Sequence, residues 1–256
     1  MKKPNPHAII YPIQYRRFRV LDIKDCVSSE LYERYQFYNY NHALEILTTS
    51  FAEEWGEIQE TLEQFYITTD DLRKQGGNET DIPKKFDFVL YPHGWREIRI
   101  SGDMIINFYP RKGNTRGRFE SSPNDRMVIE GYIDGHNIDF LKNRVAFDLE
   151  WNSKDQTFDR DLLAMRTYYD CDIISVGIIV TRSEDLNDVF RTVYAYNNNS
   201  RKYAPILPKY GASTTHIDKL LYRLDSRRNG GCPILAIGIT KKCVSDWKEG
   251  YIDANK

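Results

Sequence analysis

Apolar positions along the chain change period several times, and each change predicts an element. Ala43, Leu44, Ile46 and Leu47, then Trp55, Ile58, Leu62 and Phe65, fall at helical spacing. They predict a helix or a helix pair over residues 41–66. Glu53, Glu54, Glu57, Glu60 and Glu63 crowd the same stretch and read as a solvated face. Residues 7–20 read as a strand and turn carrying Arg16, Arg17 and Arg19. Residues 70–84 are polar, with Gly76-Gly77 and Pro83, and read as a loop. Residues 95–109 are strand-like, residues 110–118 read as a flexible basic loop, and residues 127–133 as another strand.

The strictest pattern starts at Val145. Val145, Phe147, Leu149 and Trp151 alternate with Ala146, Asp148, Glu150 and Asn152. A strand here buries one side and sets its acids on the other. Ile138-Asp139-Phe140-Leu141 comes just before it. Lys142-Asn143 as a two-residue turn would pair Leu141 with Arg144 and Asp139 with Ala146. Asp139 would then be the diagonal neighbour of Asp148, roughly 7–8 Å away. If the strand continues, Asn152 and Lys154 line up beyond Glu150.

The rhythm then becomes β-α-β. Leu162, Met165 and Tyr169 predict a helix over residues 159–170, with Asp155, Asp159 and Asp161 serving its start. Residues 173–180 are a continuous apolar run, as in a strand buried on both faces. Ser183 fits the N-cap of a helix carrying Leu186, Val189, Phe190 and Val193. Residues 197–209 read as a long polar loop. Ser213 or Thr214 caps a helix with Ile217, Leu220, Leu221 and Leu224, which Gly230-Gly231 breaks. Residues 233–239 are a last buried strand, and residues 247–256 a loose tail. The whole predicts an α/β fold with a mixed central sheet flanked by helices. It forms a single domain over residues 1–256, with a helical N-terminal part (1–90) and a catalytic α/β core (95–245).

Composition narrows the function little. The net charge is −1, and no apolar run approaches the roughly 20 residues that span a bilayer. The first residues lack the apolar stretch of a secretory signal. Four cysteines without C-x-x-C spacing suit a reducing cytoplasm. Charge is uneven, however. Residues 96–126 hold seven basic and four acidic residues, and residues 191–228 hold eight and two. Basic segments on either side of an acidic hairpin suit a polyanion held by the rims and cut at the acids.

Acids on one face repel unless a cation lies between them, and Mg²⁺ takes oxygen ligands. Asp139 and Asp148 are the candidate ligands, with Glu150 placed to orient a water or take its proton. Lys154 is a candidate phosphate contact, and His136 a further site candidate. A solvated face on a half-buried strand would give the same acid pattern. The chain has no G-x-x-x-x-G-K-[ST], G-x-G-x-x-G or H-E-x-x-H motif, so those nucleotide and zinc sites have no support.

The order of these features resembles the BglII/BstYI-type restriction endonucleases of the PD-(D/E)xK superfamily. The resemblance rests on W-G-E-I-Q-E-T-L at residues 55–62, G-W-R-E at 94–97 and I-D-F-L-K-N-R-V-A-F-D-L-E at 138–150. It continues in D-x-x-S-V-G-I-I-V-T-R at 172–182, S-T-T-x-x-x-K-L at 213–220 and G-G-C-P-I-L-A-I-G-I at 230–239. It implies a Mg²⁺-dependent homodimer that cuts both strands of double-stranded DNA at a short palindrome. Asp139 and Asp148 match the metal-binding acids, and Glu150 the third position, where the superfamily's usual Lys is absent. Asp148 is one methylene shorter than the family's Glu. Ser153 and Lys154, and the turn Ser213-Thr214-Thr215, fall where family members approach DNA. Two alternatives stay open: another nuclease of the superfamily acting in repair, and a DNA-binding relative that has lost cleavage.

Overall fold

The computed structural model describes residues 21–74, 81–113, 117–198 and 200–256. In chain order the elements are α1 (Ser29–Arg34), β1 (Tyr35–Tyr40), α2 (Ala43–Ser50), α3 (Ala52–Gln64), α4 (Thr69–Arg73) and α5 (Asp81–Leu90). The long strands β2 (Arg96–Phe108) and β3 (Asp125–Lys142) follow, then β4 (Val145–Glu150), α6 (Thr157–Asp170), β5 (Val176–Arg182) and α7 (Leu186–Thr192). The last are β6 (Tyr194–Asn197), β7 (Lys202–Pro205), α8 (Ile217–Asp225) and β8 (Ile234–Ile239).

Six strands form one mixed sheet in the order β1-β8-β5-β4-β3-β2. β4, β5 and β8 run parallel, and β1, β3 and β2 pair antiparallel at the flanks. The expected α/β architecture is therefore present, with the acidic strand inside the sheet. Val145, Phe147, Leu149 and Trp151 join the core on one side, together with α1–α5 and α7, while Ala146 joins the core under α6 and α8. The strict alternation produces this division directly. Phe147 is fully buried and packs on Phe140 and Phe86 at ring-centroid distances of 5.5 and 5.7 Å.

Several expectations are corrected. The 41–66 stretch is a helix pair, α2 and α3, but part of its acidic face is not solvated. Glu54 and Glu57 are buried. Lys142 Nζ donates to Glu57 at 2.6 Å and to Glu53 at 3.1 Å, Asn143 donates to Glu54, and Trp95 Nε1 donates to Glu57 at 2.8 Å. α3 thus grips the β3–β4 turn. The 1–90 stretch also supplies a strand, β1, which pairs β8. The loop expected over 70–84 contains α4, closed by a Thr68–Asp71 capping box, and the start of α5. Pro83 falls in the first turn of α5, where its missing N–H has no intrahelical partner to lose. The strand expected over 127–133 is continuous with the acidic hairpin, as the single strand β3.

Farther on, Asp185 and not Ser183 occupies the N-cap of α7, and the Ser183 hydroxyl turns onto the Asp185 carboxylate. The loop expected over 197–209 contains β7, which pairs β6 just before it in a small hairpin. The tail is pinned: Asp253 is buried, pairs Arg73 at 2.6 Å and accepts from Tyr194 N–H at 2.8 Å. The strand and turn expected at 7–20, with Arg16, Arg17 and Arg19, lie outside the described residues. Among the described residues no helix is long and apolar enough to cross a membrane.

Candidate active site

The hairpin that carries the acids forms with a different register from the one expected. Phe140 pairs Phe147, Leu141 pairs Ala146 and Lys142 pairs Val145, so the turn is Asn143-Arg144. Asn143 takes the left-handed conformation there (φ 51°), which Asn tolerates better than most residues. Continuing this register sets Asp139 opposite Asp148, not diagonal to it. The backbone ladder stops at this point and the carboxylates replace it. Asp139 N–H donates to Asp148 Oδ1, and Leu149 N–H donates to Asp139 Oδ2, both at 2.9 Å. The strand also ends at Glu150 and does not extend to Asn152, which turns the chain at φ 60°.

Asp148 is 3 % exposed and Glu150 9 %, while Asp139 is half-buried. A fourth acid joins them. Asp161 in α6, expected to serve the helix start, is 1 % exposed and in hydrogen-bond contact with Glu150. His136 Nε2 lies 3.2 Å from Asp161 Oδ1. Of the other two acids expected at that helix start, Asp159 is in the first turn of α6 and Asp155 precedes it.

Burial and mutual repulsion disfavour the charged forms. Burial, followed by Asp139 and Asp161, holds Asp148 well above the usual carboxylate range. Burial, followed by Asp161, pushes Glu150 up to about 8, and burial pushes Asp161 to about 7. Asp139 is raised, mainly by burial. Burial, then Arg160, lowers His136.

Asp139, Glu150 and Ser153 open onto a cleft of about 530 Å³, which Lys84, Asp87 and Glu97 also line. Asp87 and Glu97 were not singled out from sequence, although Glu97 ends the G-W-R-E stretch. Asp148 lies behind this surface. Asp148 Oδ2, Glu150 Oε2 and Asp161 Oδ2 are buried without a hydrogen-bond partner. Buried carboxylate oxygens with nothing to bind are costly, and oxygen is the donor that Mg²⁺ prefers. The acids present therefore fit a divalent cation.

The two stretches expected to approach DNA are joined. Thr215 N–H donates to Ser153 O at 2.9 Å, Asp155 N–H donates to Ser213 O at 3.0 Å, and Lys154 bridges Thr214. They sit beside Glu150, whose carbonyl accepts from the Thr181 hydroxyl at 2.8 Å and the Thr215 hydroxyl at 3.2 Å. Thr215 is thus fully buried and its side chain holds the acidic strand. Thr214 is half-buried; its hydroxyl donates to Gly211 O at 2.8 Å and accepts from Arg182 at 2.9 Å. Ser213 and Lys154 are exposed. Neither Ser213 nor Thr214 caps α8, because His216 is the N-cap residue. Much of the 191–228 charge is also engaged internally. Arg223 and Arg228 pair Asp159, Lys219 pairs Asp155, and Arg191 pairs Asp188.

Among the described residues, one set of three ligand-type side chains brings its atoms mutually within 4.8 Å: Glu184, His216 and Asp218. The hairpin acids are spaced more widely. Burial, then Arg182 and Lys219, pushes His216 down to about 4. Those two cations and the N-terminus of α8 oppose a bound cation there, and Glu184 and Asp218 are exposed.

No curated protein matches the chain. A family model described as restriction endonuclease BglII/BglIII matches residues 35–239, from β1 to the end of β8, and so contains the acidic hairpin, α6 and the 213–215 turn. With most of its length matched and an α/β sheet that carries the acids in the matched region, the chain belongs to the BglII/BglIII restriction endonuclease family and is, by that membership, a site-specific nuclease.

Proposed function

We propose that the protein is a type II restriction endonuclease, a homodimer that hydrolyses one phosphodiester bond in each strand of duplex DNA at a short palindrome, with Mg²⁺. The observation that carries this reading is the group of buried, unpartnered carboxylate oxygens beside an open acidic cleft. Asp139 and Asp148 would hold the cation, which offsets charge on the phosphate and makes a bound water more acidic. Glu150 reaches the cleft, where its carboxylate would orient the attacking water or take its proton. Lys154 is exposed one turn beyond and meets a phosphate; Ser153, Ser213 and Thr214 face the duplex, while Thr215 supports them from within. Two copies related by a two-fold axis present the same patch to each half of a palindrome.

Asp139→Ala and Asp148→Ala should each abolish cleavage and leave duplex binding within a few-fold of the unmodified protein. Near-normal cutting with Mg²⁺ by either variant would remove the metal-site assignment. Sedimentation tests the dimer, which monomer alone, free and on cognate DNA, would contradict. A neighbouring DNA methyltransferase gene would favour restriction over repair.

A further inference from the structure

We propose that Asp161 is a fourth metal-ligating carboxylate, forming with Glu150 a second cation position beside the Asp139–Asp148 pair. This deepens the reading of the cleft as a metal-dependent nuclease site and rests on it.

Asp161 lies outside the hairpin. It is the fifth residue of α6, past the free N–H groups of the first turn that acids usually serve. It is 1 % exposed, yet its charge has little compensation. Its basic neighbours approach Oδ1 alone: His136 Nε2 at 3.2 Å and Arg160 Nε at 3.9 Å. The Arg160 side chain is 62 % exposed and screened by water. His136 is held toward its neutral form by burial and by Arg160, so it offers a hydrogen bond and little charge. Asp161 Oδ2 has no partner. Glu150, in hydrogen-bond contact with Asp161, has an unpartnered buried Oε2 of its own.

Two adjacent buried carboxylates, each with a bare oxygen, disfavour the folded state unless a proton or a cation joins them, and above their raised pKa values only a cation can. The hairpin pair is arranged differently. Asp139 and Asp148 each spend one oxygen on a backbone N–H of the facing strand. Glu150 and Asp161 have no such backbone bond among the described residues; the Ser153 hydroxyl contacts the Glu150 carboxylate, and Glu150 Oε2 and Asp161 Oδ2 are left for a ligand. The main chain at Glu150 is fixed by the Thr181 and Thr215 hydroxyls. The second position is therefore held by a rigid strand on one side and a buried helix on the other.

The experiment uses the full chain without DNA. Bound Mn²⁺ is counted by electron paramagnetic resonance, and thermal unfolding is followed at pH 8 in EDTA and in Mn²⁺. The unmodified protein should bind two ions. Asp161→Asn and Glu150→Gln should each lose the same one, or bind it at least tenfold more weakly, and should unfold in EDTA no earlier than the unmodified protein. Asp139→Asn should lose the other ion. If Asp161→Asn binds Mn²⁺ as the unmodified protein does, or fails to fold, Asp161 is structural and the inference is wrong. If one ion binds and only Asp139→Asn removes it, the nuclease reading stands and the second position does not exist. If the unmodified protein binds no Mn²⁺, both fail.

Discussion

Removing divalent cations should make the stability of this protein fall as pH rises from 6.5 to 8.5. Glu150 is pushed from 4.5 to about 8 in the folded chain. A carboxyl whose folded pKa exceeds its unfolded one binds its proton more tightly when folded. Its contribution is complete below about pH 4.5 and is lost as pH rises through about 8. The whole shift corresponds to roughly 5 kcal/mol at about 1.4 kcal/mol per unit. About 2 kcal/mol of that is lost between pH 6.5 and 8.5 if Glu150 titrates alone. Asp161 shares the same proton and is not added to the sum. His136 and His216 have lowered pKa values. They contribute stability above about pH 6.5 and lose it as pH falls, so they leave this window flat. Asp71 and Asp159, both lowered, act only at more acid pH. Urea unfolding in EDTA at half-unit intervals should show the decline, equal to about 4–8 °C in Tm for a chain of this size. Glu150→Gln should reduce it, leaving what Asp148 and Asp161 contribute with the same sign, and saturating Mg²⁺ should flatten it in the unmodified protein. Stability in EDTA that is constant or rises across this window would show that the acids are not held neutral by their surroundings, and the argument for a cation there would lose its basis.

Ser213→Ala should cost roughly 1–3 kcal/mol of discrimination at one base pair with Tm unchanged, read from cleavage of cognate and singly mismatched duplexes. Thr215→Val should do the reverse, costing about 1 kcal/mol of stability through the lost bond to the Glu150 carbonyl; a changed mismatch ratio without a change in melting would contradict the burial of Thr215. Asp253→Ala should cost about 2–3 kcal/mol, because it strands Arg73 and the Tyr194 N–H. Burial raises Asp253, but Arg73 outweighs this and leaves it at about 2, so its contribution should persist from neutral pH down to about 4 and vanish toward 2, as urea titrations of both proteins would report.

The acidic strand was legible because its two faces differ so sharply: Phe147 and Leu149 take one side and Asp148 and Glu150 the other, although the second side is buried too. Its turn was not. Lys142-Asn143 and Asn143-Arg144 are both acceptable two-residue turns, and α3 holds the observed one through Glu53, Glu54 and Glu57, some 90 residues away in sequence. Local signals existed for two missed helices. Thr68 and Asp71 make a capping box, and Ile82, Phe86, Val89 and Leu90 keep helical spacing; Gly76-Gly77 and Pro83 obscured them. Asp161 had no distinguishing signal, since an acid near a helix start serves the dipole in most chains. Only the packing of α6 against β4 sets it beside Glu150. Asp253 likewise reads as any polar residue of a tail until Arg73 is placed opposite it.

The backbone bonds that tie residues 153–155 to 213–215, and the hydroxyl bond from Thr215 to the Glu150 carbonyl, bear on how such an enzyme can change its target. A loop that reads bases is often free to lengthen or shorten as specificity drifts. Here that freedom is closed. One residue added or removed in either segment would shift the register of both, pull the Thr215 hydroxyl from the Glu150 carbonyl, and displace the Glu150 carboxylate. If this patch meets the duplex, new specificities are reached by exchanging the exposed side chains at 154 and 213 on a fixed backbone. Descendants of this sequence should then differ there in residue type and not in length.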